Sequence, residues 1–212
     1  MNRLLHRLLY RLLPLRAYLL TVSRLYFLTL ALGRGRHTRA LEYAYHLPRL
    51  LRPGDTAIDI GANLGYYTRP MSRIVGPEGR VYAVEPVPVI CEVLRRNLRG
   101  RDNVRILNCA LGDGDRPVEM ANDSVAAAGY FGTGRNFVDD GRNARGDAIR
   151  FKAQMRRGSS LFADVDRIDF IKCDIEGYEA VVMEEMRPLL ERFRPTVLIE
   201  TGGENRPRIV RL

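Results

Sequence analysis

Residues Thr56 to Gly65 read T-A-I-D-I-G-A-N-L-G. A short apolar, partly β-branched run (Ala57, Ile58, Ile60) meets two glycines four apart. A strand that ends in a glycine turn and opens a helix is a nucleotide-cradling device. Glycine lets the backbone approach a ligand closely, and a helix N-terminus offers free N–H groups. The same glycine-rich β-α turn also occurs in other α/β proteins, so the motif does not stand alone.

The spacing discriminates between nucleotides. A dinucleotide fingerprint requires G-x-G-x-x-G, whose second glycine makes room for a pyrophosphate. Here the pattern is Asp59-x-Gly61-x-x-x-Gly65, and Asn63 occupies the position of that second glycine. A nucleoside ligand without a pyrophosphate fits better, and S-adenosyl-L-methionine (SAM) is the common one. Asn63 correspondingly disfavours an NAD-dependent oxidoreductase.

The segments around this stretch alternate. Strand 56–60 precedes a helix over about 64–75, in which Pro70 demands a kink or a start in the later turns. A Gly76-Pro77-Glu78-Gly79 turn leads to strand 80–84, then a helix over about 87–99 and strand 104–109. The pattern resumes with strand 168–173, a helix over about 177–192 and strand 196–200. This βαβ alternation predicts a doubly wound, mostly parallel sheet in an α/β fold. Between Gly112 and Asp164 the helical pattern vanishes. Two strand-like runs, 118–121 and 149–155, flank a Gly/Asn/Asp/Ser/Arg-rich stretch, read as a strand pair whose long connection covers the pocket.

The 212 residues suffice for one α/β domain with a sizeable core. Charge is unevenly placed. Residues 1–52 hold ten arginines and one acid, Glu42, so they carry the whole formal excess of +9. The remainder, residues 53–212, is neutral, which argues against a nucleic-acid groove spread over the fold. The chain therefore divides into a basic helical segment, 1–52, and a ligand-binding domain, 53–212. At 100° per residue, residues 2–13 form an amphipathic helix, with Arg3, Arg7, Arg11, His6 and Tyr10 on one side and Leu4, Leu5, Leu8, Leu9, Leu12 and Leu13 on the other. Arg24 interrupts the apolar run 15–32, and this argues against a transmembrane span. No secretory cleavage pattern follows. Residues 2–32 either pack on the catalytic body or lie on an anionic membrane surface. Residues 33–39 read as a basic linker and 40–51 as a further helix. Cys91, Cys109 and Cys173 form no C-x-x-C pair, and with three histidines no metal site is assigned. Free thiols point to a reducing, cytoplasmic setting, with the basic helix allowing peripheral membrane attachment.

Acids recur where parallel strands end, the edge at which open sheets bind ligands. Glu85 closes the second strand, 26 residues after Asp59, a spacing suited to accepting hydrogen bonds from ribose hydroxyls. Asp174 and Glu176 follow the fourth strand, beside the glycine turn. With Glu179 one turn on, they are suited to deprotonating a hydroxyl, holding a divalent cation or orienting the methionine end of SAM, and a helix-dipole preference explains Glu176 and Glu179 about as well.

Four blocks in order, D-I-G-A-N-L-G, V-Y-A-V-E-P at 81–86, L-N-C-A-L-G-D at 107–113 and D-F-I-K-C-D-I-E-G-Y-E at 169–179, resemble the FkbM-type SAM-dependent methyltransferases over about residues 50–201. The resemblance implies a Rossmann-like class I methyltransferase fold. It implies methyl transfer to a hydroxyl of a sugar, glycan or secondary metabolite. It places Asp59, Gly61, Asn63 and Gly65 around the methionine part of SAM, Glu85 on the ribose, Asn108 and Ala110 near the adenine, and Asp174 and Glu176 facing the transferred methyl.

Two departures accompany it. Arg157-Gly158-Ser159-Ser160-Leu161 stands where the family shows threonine-leucine-aspartate. The C-terminal antiparallel strand pair is expected to be absent, leaving the fifth strand to be covered by the N-terminal helices or, in a homodimer, by a second subunit. These departures keep open an alternative, a catalytically silent SAM-fold module bound to a membrane or partner.

Overall fold

The computed structural model describes residues 3–34, 42–139, 141, 146–200 and 205–211. Two helices lead, α1 (Arg3–Leu12) and α2 (Leu15–Ala31), separated at Pro14, followed by α3 (Glu42–Leu50). The expected linker falls mostly outside the described residues. The alternating part then runs β1 (Thr56–Ile60), α4 (Thr68–Val75), β2 (Arg80–Val84), α5 (Pro88–Asn97) and β3 (Val104–Leu107). A second group follows: β4 (Ala110–Leu111), β5 (Arg116–Asn122), α6 (Ser124–Ala128), β6 (Asn136–Val138), β7 (Ile149–Arg156) and α7 (Gly158–Leu161). The chain returns through β8 (Phe170–Cys173), α8 (Glu179–Glu185), α9 (Arg187–Phe193), β9 (Thr196–Ile199) and α10 (Arg206–Val210).

The main sheet has the order β3-β2-β1-β8-β9, all parallel. The chain order reverses at β1, so the crevice beyond the carboxyl ends of β1, β2 and β8 is the topological switch point. β1 and β8 are central and buried along their whole length, hence their apolar runs. The fifth strand, β9, is the edge, with Val197 40% exposed.

Three boundaries differ from the sequence reading. α4 starts at Thr68, three residues after the glycine turn, so Pro70 falls in its first turn, where a missing N–H costs little. The helix expected over 177–192 is two helices that meet at Met186, with Pro188 opening the second. The stretch 104–109 ends its pairing with β2 at Leu107, and the chain crosses to a second sheet of order β4-β7-β5-β6.

That second sheet contains the expected strand pair, β5 and β7, antiparallel from Arg116↔Met155 to Asn122↔Ile149. Its connection contains α6 and β6, and β6 pairs with β5. Residue 140 and residues 142–145 of the connection lie outside the described residues.

α2 buries Tyr18, Leu19 and Val22 in one cluster with Val87 and Ile90 near α5, Met120 of β5, Met155 of β7 and Phe131. At about 1.5–3 kcal/mol for each large apolar side chain buried, this contact fixes α2 to the body. α1 docks differently from its helical wheel. His6 stacks on Tyr130 at 4.7 Å and its Nδ1 lies 2.8 Å from the Tyr18 hydroxyl, while Arg7 Nε donates to the Ala128 carbonyl. The inward edge therefore joins His6, Arg7 and Tyr10 to Leu9 and Leu13, which pack on the same cluster as α2. Leu4, Leu8 and Leu12 face outward, 69%, 54% and 68% exposed.

Candidate functional site

The crevice at the switch point is a cavity of about 250 Å³. Its floor is the glycine turn, Gly61 to Asn63, and one wall carries Glu85. Cys109, Ala110, Leu111, Met120 and Val138 make an apolar side, contributed largely by the second sheet. Asp174, Glu176 and Glu200 line the opposite side with Lys172.

The turn is tight and internally saturated. Gly61, Asn63 and Gly65 all have positive φ (77°, 53° and 90°). A Cβ on Gly61 would run into the Asp174 carbonyl oxygen, so glycine here allows β1 and β8 to converge. Gly65 lies against Leu94 and Leu98 and does not line the crevice. The N–H groups of Gly61 and Ala62 both donate to the Val84 carbonyl, and that of Asn63 donates to Glu85 Oε2. Those of Leu64 and Gly65 donate to Asn63 Oδ1 and to the Ala62 carbonyl. The free amide cradle expected from the sequence is thus occupied by the protein's own acceptors, and the turn has no N–H left for a phosphate.

Glu85 is 4% exposed and reaches back to the turn. Its Oε2 accepts from Asn63 N and its Oε1 from Val87 N, each at 2.9 Å. Each carboxylate oxygen retains a lone pair for a further donor such as a ribose hydroxyl. Burial pushes its pKa up to about 7, against the two backbone N–H bonds that pull it down. Asn108 does not line the crevice. Its Nδ2 donates to the carbonyls of Glu85 and Pro86, holding the loop that carries the acid. Ala110 does line it.

Asp59 is fully buried beneath the turn and accepts a 2.6 Å hydrogen bond from Thr68 Oγ1. Its cross-strand partner is Lys172. The Lys172 ammonium, 4% exposed as a residue, lies 3.5 Å from Asp59 Oδ1 and 3.5 Å from Asp174 Oδ2. It also donates to the carbonyl of Gly61 at 2.9 Å and, more weakly, of Ile60 at 3.3 Å. Burial pulls its pKa down, but Asp59 and Asp174 outweigh burial and the net displacement is upward. Sequence reading missed this lysine. The available signal was a cation inside an otherwise apolar central strand, F-I-K-C, in a chain with two lysines.

Asp174 is bracketed by Lys172 and by Glu200, whose carboxyl hydrogen-bonds it. That bond, followed by the nearby charge, raises the Glu200 pKa. Glu176 takes the left-handed conformation (φ 58°), which turns it into the crevice. Partial burial, then Asp174, Glu200 and Glu179, push its pKa up to about 7. Glu179 points away and accepts from the N–H groups of Ile175 and Gly177, closing the turn. Glu200 obeys the same strand-end rule that singled out Glu85 and Asp174. Tyr66, Thr133 and Asn136 complete the lining from segments whose approach the sequence does not encode locally. At the departing motif, Ser159 bonds Glu185 through its backbone N–H and its hydroxyl, bracing α7 against α8.

A parallel sheet with this strand order, a saturated glycine turn and an acid-ringed crevice define a nucleoside-binding protein of the class I methyltransferase type. The chain matches the Methyltransferase FkbM domain over residues 59–210, and it belongs to that family. S-adenosyl-L-methionine is the cofactor that membership of this family brings. Among curated relatives, the chain is 32% identical over 100 residues to Protein-L-isoaspartate O-methyltransferase of Methanopyrus kandleri, covering 45% of this chain and 44% of that protein. It is 26% identical over 182 residues to Methyltransferase sdnD of Sordaria araneosa, covering 72% and 69% of the two chains. The matched part is thus under half the length of the first of these relatives. A solved structure, fibrillarin of Aeropyrum pernix with bound S-adenosyl-L-methionine, overlaps 68% of this chain and 46% of its own at 20% identity and a TM-score of 0.40.

The residues fit this cofactor. Four carboxyls (Glu85, Asp174, Glu176, Glu200) and one ammonium line the crevice, an environment for a sulfonium and an ammonium rather than for phosphates. Glu85 is placed for the ribose hydroxyls. The apolar side at Ala110, Leu111 and Met120 is suited to a purine.

Proposed function

We propose that the chain is a SAM-dependent O-methyltransferase acting on a hydroxyl of a sugar, glycan or secondary metabolite. One observation carries this reading: the crevice combines a turn with no free amide and a ring of acids, which selects a cationic nucleoside over a dinucleotide. The likeness to Protein-L-isoaspartate O-methyltransferase of Methanopyrus kandleri supports transfer to oxygen, and the likeness to Methyltransferase sdnD supports methyl transfer.

The bound cofactor supplies a methyl group already activated on sulfur. The protein's work is then mainly alignment and water exclusion, which orientation can supply. Asp174 and Glu176 line the acceptor side. Asp174, steadied by Lys172 and Glu200, takes the hydroxyl proton as the oxygen attacks, and Glu176 assists. Glu85 holds the ribose and Asn108 holds Glu85's loop. The test is transfer from labelled SAM to a panel of sugar nucleotides, lipid-linked glycans and hydroxylated metabolites, with Asp174→Ala as control. Loss of transfer by roughly two orders of magnitude, with SAM still bound, is the expected result. Unchanged transfer in Asp174→Ala removes that residue from the mechanism. A folded protein that gives no heat with SAM in calorimetry favours the silent binding module instead.

We also propose that α1 rests on an anionic membrane surface. No helix among the described residues is long and apolar enough to cross a membrane. The outward stripe Leu4, Leu8 and Leu12, flanked by Arg3 and Arg11, has the chemistry of an interfacial helix. Vesicles containing phosphatidylglycerol should retain the protein and release it with rising salt. Equal retention on phosphatidylcholine vesicles would overturn this.

A further inference from the structure

A second, larger cavity of about 880 Å³ adjoins the crevice and lies between the N-terminal helices and the body. The two cavities share a polar end formed by Asn63, Thr133, Lys172, Asp174 and Glu200. The rest of the larger one is walled mainly by aromatic and aliphatic side chains, among them Tyr18, Leu19, Val22 and Tyr26 of α2, Tyr43 of α3 and Phe131, with His6 and Thr29 as polar members. The tyrosines here present rings more than hydroxyls. The Tyr18 hydroxyl meets His6 Nδ1 at 2.8 Å and donates to the Phe131 carbonyl, and Tyr26 packs on Tyr66 with ring centroids 4.0 Å apart. Burial pushes the phenol pKa of Tyr18 and Tyr26 upward, as expected of hydroxyls in a poorly hydrated wall.

Resting on the methyltransferase reading above, we infer that this cavity is the acceptor site and that its ligand is amphipathic. A hydroxyl-bearing polar head reaches Asp174, and an apolar chain or ring lies against α2. A free sugar would leave the aromatic wall wet and gain little from it. An acceptor with a hydrophobic body buries that wall, and the gain grows with each methylene covered. The segment 1–52, read in the sequence as basic and helical, thereby becomes a specificity element: α2 and α3 supply the surface that selects the acceptor.

The test uses the full chain and two probes, methyl β-D-glucoside and n-octyl β-D-glucoside, the latter below its micellar concentration. Binding is read by calorimetry with and without S-adenosylhomocysteine. The octyl glucoside should bind at least roughly tenfold more tightly than the methyl glucoside. Val22→Phe, which fills the cavity from α2, should abolish most of that preference while leaving the affinity for S-adenosylhomocysteine unchanged. Tyr43→Ala, at a residue 47% exposed and so tolerant of change, should weaken the octyl glucoside several-fold and melts as a check on folding. It decides the matter if Val22→Phe fails to fold. Equal affinity for the two glucosides overturns the inference, as does a preference that neither variant alters. A protein that binds octyl glucoside in a Val22-dependent way but binds no S-adenosylhomocysteine retains the cavity assignment and loses the methyl-transfer reading.

Discussion

Replacing Lys172 with methionine should cost more stability than almost any other single change in this chain. The ammonium stands between two carboxylates, each 3.5 Å away, but the two are not equally dependent on it. The Asp174 side chain is 35% exposed and can recover water, whereas the Asp59 side chain is 0% exposed. Asp59 Oδ1 has no hydrogen-bond donor, so Lys172 is its sole compensation among the described contacts. Methionine has nearly the same length and fills the same channel, so the cavity cost is small and the stranded charge dominates. Removing one partner of a buried pair costs about 3–5 kcal/mol. In a chain of this size, about 2–4 °C in Tm per kcal/mol translates that into a fall on the order of 6–20 °C. Urea melts of the wild type, Lys172→Met, Asp59→Asn and the double variant measure it. Asparagine keeps an acceptor for Thr68 and removes the charge, so the double variant should recover about 2 kcal/mol or more over Lys172→Met. The pH dependence has a definite sign. The folded pKa of Lys172 lies above its ordinary 10.5, so its contribution is fully present below about 10.5 and is lost as pH rises through the folded value. The wild type should show that alkaline loss and Lys172→Met should not. A single variant that costs under about 1 kcal/mol, or a double variant no better than Lys172→Met, refutes the pairing argument.

Glu85→Gln turns one acceptor into a donor facing the backbone N–H of Asn63 or Val87, so it should weaken SAM binding about 10- to 100-fold by calorimetry and also cost about 1–3 kcal/mol of stability. Because Glu85 and Glu176 both titrate near 7 in the free protein, a cationic cofactor should bind more tightly as pH rises from 6 to 8 and release protons on binding. Calorimetry in buffers of different ionisation enthalpy reads that release, and pH-independent binding would count against the acid ring. The same raised values mean that the two acids favour the folded state most below their ordinary 4.5, and this contribution fades as pH climbs through about 7. Gly61→Ala should abolish SAM binding and lower stability well beyond Gly54→Ala. Gly54 shares a positive φ (86°) but has open space where a Cβ would sit, so it isolates the roughly 1–2 kcal/mol backbone term.

Local pattern determined the architecture of this protein. The apolar runs of β1, β2 and β8, the glycine turn and the alternation with helices imply a parallel sheet whose carboxyl edge binds ligand, because such a sheet must be buried on both faces and its strands must cross over through helices. The acids at strand ends, Glu85, Asp174 and Glu176, followed from the same rule and converge on one crevice. Composition located the basic segment. What sequence could not supply depends on contacts distant along the chain. Asp59 and Lys172 are more than a hundred residues apart, and only the register of β1 against β8 makes them a pair. The turn amides are satisfied by Val84 and Glu85, which lie on another strand and its end, so the apparent cradle is closed to phosphate. The helical wheel of α1 correctly separated leucines from arginines but could not tell which edge docks, because that was settled by Tyr18 and Tyr130 waiting on the body. A side chain's type is written locally. Its role here was decided by which distant strand, ring or carbonyl the fold brought within about 3–5 Å, the range over which hydrogen bonds, ion pairs and ring contacts act.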